Sequence, residues 1–178
     1  IVLIVCTGFS RFILQSFLEN SDNAKYVNTF IGTGGHGHTF PGATTPYGMV
    51  QLSPDTRTLN WDACGGYHHT DSSIIGFSHT HLSGTGISDL GDFLFMPFTG
   101  EAKVTPGTPE DPDSGYRSRY NHSNEKSTPG FYSVLLEDYN INVEVTTTKR
   151  AGFHKYKFHK DGKSGVIIDL SHNIYPDH

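Results

Sequence analysis

The sequence predicts an all-β protein, most simply an antiparallel β-sandwich with long loops rich in glycine and proline. Its 178 residues include 20 glycines, nine prolines, 12 phenylalanines and nine tyrosines, whereas charged residues make up only 17%. These proportions favour many short strands joined by turns and loops. Apolar and polar side chains alternate from Ile141 to Val145, as in a strand with one buried face. After residue 25, no stretch of ten residues forms a convincing amphipathic helix.

The first 25 residues are predicted to be a leader and a linker, and residues 26–178 to form the sandwich domain. Five apolar residues open the chain, but Arg11 interrupts this apolar segment before it could span a membrane. The segment is typical of a signal-peptide remnant, with a disordered or helical extension as the alternative. Residues 3–6 weakly resemble a lipoprotein cleavage box, with Cys6 at its end. We therefore expect an exported protein, in the periplasm, on the cell surface or secreted, without an integral membrane span.

Short apolar and aromatic runs predict the strands of the domain. In chain order they are residues 26–31, 49–52, 73–77, 93–96, 132–137, 141–145, 153–158 and 166–170. Residues 138–140 and Asp161-Gly162 are predicted turns between the later strands. Between residues 99 and 125, three prolines and many polar residues predict a long exposed insertion with little regular structure. Strands joined by short turns pair antiparallel, and the expected result is most of one β-sandwich.

Charge and cysteine content exclude several classes of protein. The formal net charge is −5, and no basic cluster is longer than Lys149-Arg150, so nothing indicates a nucleic-acid-binding surface. Neutral polar ligands such as sugars suit this charge balance better than polyanions do. The two cysteines, Cys6 and Cys64, are too few for a disulfide framework or a zinc site built on several thiolates.

Residues 34–92 hold six of the chain's eleven histidines, in three close pairs. The pairs are His36 and His38, His68 and His69, and His79 and His81. Glycines and prolines surround them, so these imidazoles are expected on stiff loops. Three interpretations remain open at this point: hydrogen-bonded imidazoles that order the loops, direct contact with a sugar, and a transition-metal site. Residues 32–37 resemble a phosphate loop only superficially, because the Gly-Lys-Ser/Thr ending is missing and Pro41 follows.

Trp61, Asp62 and Cys64 precede a pair of glycines in the same stretch. An exposed indole beside a carboxylate suits a sugar, which has an apolar face and hydroxyls at its rim, although a lone tryptophan also occurs in cores. Cys64 is most simply a small buried apolar residue. The candidate substrate-binding residues are His36, His38, Trp61, Asp62, Cys64, His79 and His81. No catalytic residue and no metal ligand is assigned.

Seven segments in this order resemble the N-terminal domain of family 92 glycoside hydrolases, the exo-acting α-mannosidases. They are residues 27–43, 47–56, 61–67, 75–86, 132–144, 152–156 and 169–172. The first contains Gly-Gly-His-Gly-His-Thr-Phe-Pro-Gly, and the fourth contains Gly-Phe-Ser-His-Thr-His-Leu-Ser-Gly-Thr-Gly. The resemblance covers about residues 26–172 and rests on several long motifs rather than one.

The resemblance implies a β-sandwich followed by an (α/α) barrel, with calcium-dependent, inverting hydrolysis of terminal α-mannosides between them. In this family the catalytic acid, the catalytic base and most calcium ligands come from the barrel. We therefore expect the present chain to lack all of these and to supply one wall of the sugar pocket. Its partners would be a mannose-containing glycan and the missing C-terminal barrel domain. An incomplete sandwich with exposed apolar surface would follow from the same truncation. The alternatives are a stand-alone carbohydrate-binding module and a cupin-like metal-binding protein.

Overall fold

Two antiparallel sheets pack against each other in the computed structural model, which describes residues 23–159 and 161–174. The strands are β1 (Ala43–Thr44), β2 (Gln51–Asp55), β3 (Ser73–Ile74), β4 (Gly76–Ser78), β5 (Leu94–Thr99), β6 (Ser118–Arg119), β7 (Lys126–Thr128), β8 (Phe131–Leu136), β9 (Ile141–Thr147), β10 (Gly152–Phe158) and β11 (Ser164–Asp169). Short 3₁₀ helices occupy Asn23–Tyr26, Trp61–Ala63, Pro112–Ser114 and His122–Asn124. The predicted all-β sandwich is confirmed. Among the described residues, no helix is long and apolar enough to cross a membrane.

Turns join consecutive strands in the smaller sheet, whereas long loops and a late strand complete the larger one. The larger sheet has the order β1-β2-β4-β5-β11, and the smaller one has the order β10-β9-β8-β7. β3 and β6 form a separate two-stranded ribbon. The predicted strands 132–137, 141–145 and 153–158 correspond closely to β8, β9 and β10, which pair in register as a meander.

The core lies between the two sheets. Ile141, Val143 and Val145 of β9 are buried, while the intervening residues are exposed or half-buried, as the alternation predicts. The ring of Phe77 on β4 packs 6.4 Å from the ring of Tyr132 on β8 and so joins the two layers. One apolar cluster contains residues of both sheets.

The prediction of a strand at residues 26–31 is wrong. The chain there forms a 3₁₀ helix and then turns. Asn28 explains the difference, because its side chain accepts the Phe30 N–H and its carbonyl accepts the Ile31 N–H. A side chain that bonds its own backbone in this way favours a turn over a sheet.

The segment between residues 99 and 125 is less exposed than its composition predicts. Residues 115–118 are buried, and β6 pairs with β3. The Tyr116 hydroxyl donates to Asp169 Oδ2 at 2.7 Å, and Arg117 Nη2 donates to the Thr56 carbonyl at 2.7 Å. These two long side chains tie the segment to the larger sheet, although the prolines around it prevent long strands.

Apolar side chains remain exposed along β11, at the edge of the larger sheet. Ile168 lies opposite Phe95 in the β5–β11 register, yet 57% of its surface is exposed. Val166 is 41% exposed on the same face of the strand. The space between the two sheets is therefore open at this edge.

A buried carboxylate, Asp55 at the end of β2, joins distant parts of the chain. Its Oδ1 lies 2.7 Å from His81 Nε2, and its Oδ2 lies 2.8 Å from His172 Nε2. The Nδ1 of His81 also faces an acceptor, the Gln51 carbonyl, at 2.7 Å. Because carbonyls and carboxylates only accept, His81 can donate to both of these groups only as an imidazolium.

The charge of Asp55 is stabilised by these imidazoles. Burial alone would raise the pKa of Asp55, but the charge of His81 and hydrogen bonds from His172 and His81 hold that pKa well below its ordinary value. Gly66 also contributes, because a Cβ at this position would lie 2.1 Å from Asp55 Oδ1. Gly66 has a φ of 73° as well, so both space and backbone conformation require glycine here.

We expect Asp55→Asn to lower the free energy of unfolding at pH 7 by about 3–5 kcal/mol, because it leaves a buried imidazolium without its charge partner. Chemical denaturation of the two proteins measures the difference. Asp111→Asn is the matched control, since Asp111 is exposed and its side chain makes no capping bond. The control should change stability by no more than about 0.5 kcal/mol. An equal effect of both substitutions would contradict the assigned role of Asp55.

Acid should remove the contribution of Asp55. A carboxyl whose folded pKa is lowered stabilises the protein above its unfolded pKa of about 3.9 and loses that effect as the pH falls towards the folded value. The stability difference between the native protein and Asp55→Asn should therefore narrow as the pH is lowered below about 4. Denaturation series at several pH values would test this, and a difference that widens in acid would contradict it.

Candidate functional site

The 3₁₀ helix Trp61–Ala63 presents Trp61 and Asp62 at the surface. Asn60 precedes this helix, and its side chain accepts the Asp62 N–H at 3.0 Å. The Cys64 thiol donates to the Trp61 carbonyl at 2.9 Å and closes the turn from the other side. Both ends of the turn are therefore fixed, and the indole is 55% exposed.

Asp62 holds the first histidine pair. Its Oδ1 lies 2.6 Å from His36 Nδ1 and 3.6 Å from His38 Nε2. The hydrogen bond from His36 lowers the pKa of Asp62, and burial opposes this only in part. Both imidazoles of this pair therefore meet at one ionised carboxylate, and the imidazole of His36 is largely exposed.

His38 is strained and incompletely bonded. It is nearly buried and has a φ of 52°, which non-glycine residues seldom adopt. Its Nε2 is buried without a hydrogen-bond partner, and its ring contacts Trp61 edge-on at a centroid distance of 5.1 Å. Such strain is frequently found at functional sites.

Glycines of a third loop complete this surface. A Cβ at Gly86 would lie 2.2 Å from the indole of Trp61, so only glycine allows this close contact. The Gly84 N–H donates to the His38 carbonyl at 2.7 Å. Three glycine-rich loops thus meet around one indole and one carboxylate. We call the set His36, His38, Trp61 and Asp62 the Trp61 patch.

Two other predicted residues lie behind this patch. Cys64 is buried and contacts the Ser88 hydroxyl at 3.4 Å in addition to the Trp61 carbonyl. His81 is fully enclosed with Asp55, and Phe40 lies against its ring at a centroid distance of 4.9 Å. Within this chain both side chains support the loops from inside, and their contact with substrate stays a prediction.

His79 lies elsewhere, between the two sheets. Its Nδ1 donates to the Phe93 carbonyl at 2.9 Å, and its Nε2 lies 3.2 Å from His154 Nε2. The Tyr156 hydroxyl lies 2.7 Å from His154 Nδ1. Burial lowers the pKa of His79. Burial, with a smaller contribution from the neighbouring His79, lowers the pKa of His154 to about 4. Two neutral imidazoles therefore form a hydrogen-bonded chain here, and the imidazole of His79 bonds other groups than the imidazole of His81 does.

The two histidines of the remaining pair, His68 and His69, also have different surroundings. His68 is buried, with Nε2 bonded to the Gly35 carbonyl at 3.1 Å and Nδ1 near the Thr70 hydroxyl at 2.8 Å. His69 points the other way, towards His122 and Glu125, which the sequence analysis did not single out. His122 and Glu125 lie more than fifty residues after His69, so no local sequence pattern links the three side chains.

Among the described residues, two groups of three side chains could each hold a cation. They are His36, His38 and Asp62, and His69, His122 and Glu125, with ligand atoms within 4.8 Å of one another. Separately, a cleft of about 420 Å³ opens between residues 57–60 and residues 106–109, with Asp169 and His172 in its wall. None of the seven predicted substrate-binding residues lines this cleft.

Known proteins resemble the chain over most of its length. The family model described as the glycosyl hydrolase family 92 N-terminal domain matches residues 26–178. A family GH92 α-mannosidase from Bacteroides thetaiotaomicron, solved in complex with mannoimidazole, is 48% identical with a TM-score of 0.84 over 85% of this chain. The family GH92 inverting mannosidase from the same species is 29% identical with a TM-score of 0.67 over 82% of this chain. An uncharacterized secreted glycosidase of Arthroderma benhamiae is 29% identical in an alignment 164 residues long that covers 84% of this chain.

This chain spans only about a fifth of the length of each of these relatives, between 19% and 20%. The likeness extends through the two sheets and through the glycine-rich loops, because the match to the family model begins at residue 26 and includes every described strand. The chain belongs to glycosyl hydrolase family 92, a mannosidase family, and represents its N-terminal domain.

Proposed function

We propose that this chain is the N-terminal domain of a longer inverting α-mannosidase and forms one wall of its sugar pocket. The Trp61 patch is the observation that carries this proposal. Its half-exposed indole, ionised carboxylate and adjacent imidazoles are the groups that bind a sugar. The mannosidases among its structural relatives support mannose as the sugar, and the substrate would be a mannose-containing glycan with terminal α-linked residues.

Each part of the patch would contact a different part of the sugar. The indole of Trp61 offers an apolar face to the C–H face of a pyranose ring. His36 donates through Nδ1 to one oxygen of Asp62, and the second oxygen would accept from sugar hydroxyls. Nε2 of His38 lies 3.6 Å from Asp62 Oδ1 and has no hydrogen bond within the described part of the chain, so it would gain from any ligand or water that reached it.

The catalytic acid and base are proposed to come from a barrel domain that follows this chain. Inversion requires two carboxyl groups about 6.5–9.5 Å apart, one of them protonated. The patch supplies one carboxyl, and its lowered pKa keeps Asp62 ionised and unsuited to donate a proton. The barrel is therefore the expected partner of this domain, and the exposed apolar edge at Val166 and Ile168 offers surface for further chain.

Neither cation-binding group found here suits calcium. Each group offers two imidazoles and one carboxylate, whereas calcium is bound by six to eight oxygen atoms. We infer that the calcium ligands of the longer protein lie mostly outside the described residues. No step is assigned to calcium in this domain.

Export is proposed for the whole protein. The predicted leader at residues 1–25, with Cys6 as an anchor candidate, lies almost wholly outside the described residues. A secreted glycosidase among the relatives supports an exported location, in the periplasm, at the cell surface or in the medium.

The isolated 178-residue chain should not hydrolyse α-mannosides, whereas the longer protein that contains it should. The physical reason is the missing pair of catalytic carboxyls. Release of mannose from a terminal α-mannoside is the measurement, and the anomer released first reports inversion. Measurable turnover by the isolated chain would contradict the assignment. A reading frame that ends naturally at residue 178, with tight mannan binding, would instead favour a stand-alone carbohydrate-binding module.

Within the longer protein, Trp61→Ala should lower kcat/KM for α-mannosides by about 10- to 100-fold, because the sugar loses its apolar contact. Trp61→Phe should retain part of the activity. The matched control is Tyr26→Ala, which removes an exposed aromatic side chain outside the patch. Equal kcat/KM values for Trp61→Ala and the control would exclude the Trp61 patch from the sugar pocket.

A further inference from the structure

A second cluster of ligand-type side chains lies apart from the Trp61 patch. It consists of His69, His122 and Glu125, each with one ligand atom within 4.8 Å of the others. The rings of His69 and His122 lie side by side at a centroid distance of 4.3 Å. Phe30 contacts the first ring and Tyr120 the second, so both imidazoles are confined by aromatic neighbours.

Glu125 is a buried carboxylate with an incomplete charge balance. Its side chain is 1% exposed, and its nearest ion-pair partner is His122, with Nδ1 at 2.7 Å from Oε2. Oε1 accepts from the Tyr132 hydroxyl at 2.6 Å, and Oε2 accepts from the Tyr67 hydroxyl at 3.1 Å. None of these partners is a permanent cation. A buried carboxylate is stabilised by a paired charge or by a metal ion.

The tyrosines act as donors to the cluster. Both phenolic hydroxyls point at carboxylate oxygens of Glu125, which can only accept, so Tyr67 and Tyr132 donate there. The Tyr67 hydroxyl also lies 3.5 Å from His69 Nδ1, within reach of a proton on that nitrogen. A proton on Nδ1 leaves Nε2 of His69 as a free electron-pair donor. Such outer partners fix the ring orientation and basicity of histidines that bind metals.

We propose that His69, His122 and Glu125 bind a divalent transition-metal ion, with zinc as the best fit. Two imidazoles and one carboxylate are a known protein ligand set for zinc and leave a fourth position for water. The exposure of both histidines provides a path for the ion from solvent. The three ligand atoms already lie within 4.8 Å of one another, so small side-chain rotations would bring them onto one ion.

Calcium and magnesium do not fit this cluster. Both prefer sets of oxygen ligands, and only one of the three side chains provides oxygen. The site is also independent of the proposed sugar pocket, since none of its residues belongs to the Trp61 patch. A zinc ion here would join the loop that carries His69 to the 3₁₀ helix His122–Asn124.

The test uses the longer protein, freed of transition metals with a chelator and kept in excess calcium. Titration with zinc chloride, followed by elemental analysis, measures the number and affinity of bound zinc ions. We expect one equivalent with micromolar or tighter affinity that is lost, or weakened by about 100-fold or more, in both His69→Ala and His122→Ala. Cobalt(II) should give visible absorption bands in the native protein that both variants lack.

Two controls identify the site. His159→Ala removes an exposed imidazole that bonds the Asn142 side chain, far in sequence from either cluster, and it should leave the zinc equivalent unchanged. His36→Ala disrupts the other candidate cluster, and it should also leave the zinc equivalent unchanged. The proposal would be overturned if His36→Ala lost the zinc ion while His122→Ala retained it. It would also be overturned if no bound zinc ion were lost in His69→Ala and His122→Ala. Circular dichroism confirms that each variant is folded, and mannosidase activity does not enter the readout.

Discussion

The buried carboxylate of Asp55 is the constraint on which the rest of the structure depends. Its two oxygens bond His81, which follows β4, and His172, which follows β11. The sequence separations are 26 and 117 residues, so one charged group fixes the middle of the chain and its far end to β2. Removing one partner of a buried ion pair costs more free energy of unfolding than the intact pair contributes, because an unpaired charge remains in a medium of low polarity.

The same carboxylate determines how the glycine-rich loops are placed. Gly66 packs directly on Asp55, and this is possible only without a side chain. Gly66 ends the turn that begins at Trp61, since its N–H donates to the Ala63 carbonyl at 2.7 Å. The buried contact between Gly66 and Asp55 therefore fixes the turn that carries the exposed indole of Trp61. A surface that binds sugar needs this rigidity, because a mobile indole would lose entropy on binding.

The sequence predicted the fold better than the site. Period-two alternation identified β9, because a strand with one buried face carries that pattern in its own residues, and apolar or aromatic composition identified β8 and β10. Composition failed at residues 26–31, where the side chain of Asn28 competes with sheet hydrogen bonds. The patch formed by His36, His38, Trp61 and Asp62 matches part of the predicted set. No local pattern could show that His79 and His81 face different surroundings, or that Asp55 and Glu125 are buried beside histidines from distant segments.

The two histidine clusters of this domain are mechanically connected through backbone hydrogen bonds. The N–H of His69 donates to the Thr33 carbonyl at 2.8 Å, and His68 Nε2 bonds the Gly35 carbonyl at 3.1 Å. The loop that carries His36 is thus supported from behind by the loop that carries His69. The two clusters share this backbone support but no side chain, so the loop that carries His36 keeps its place without a ligand in the second cluster.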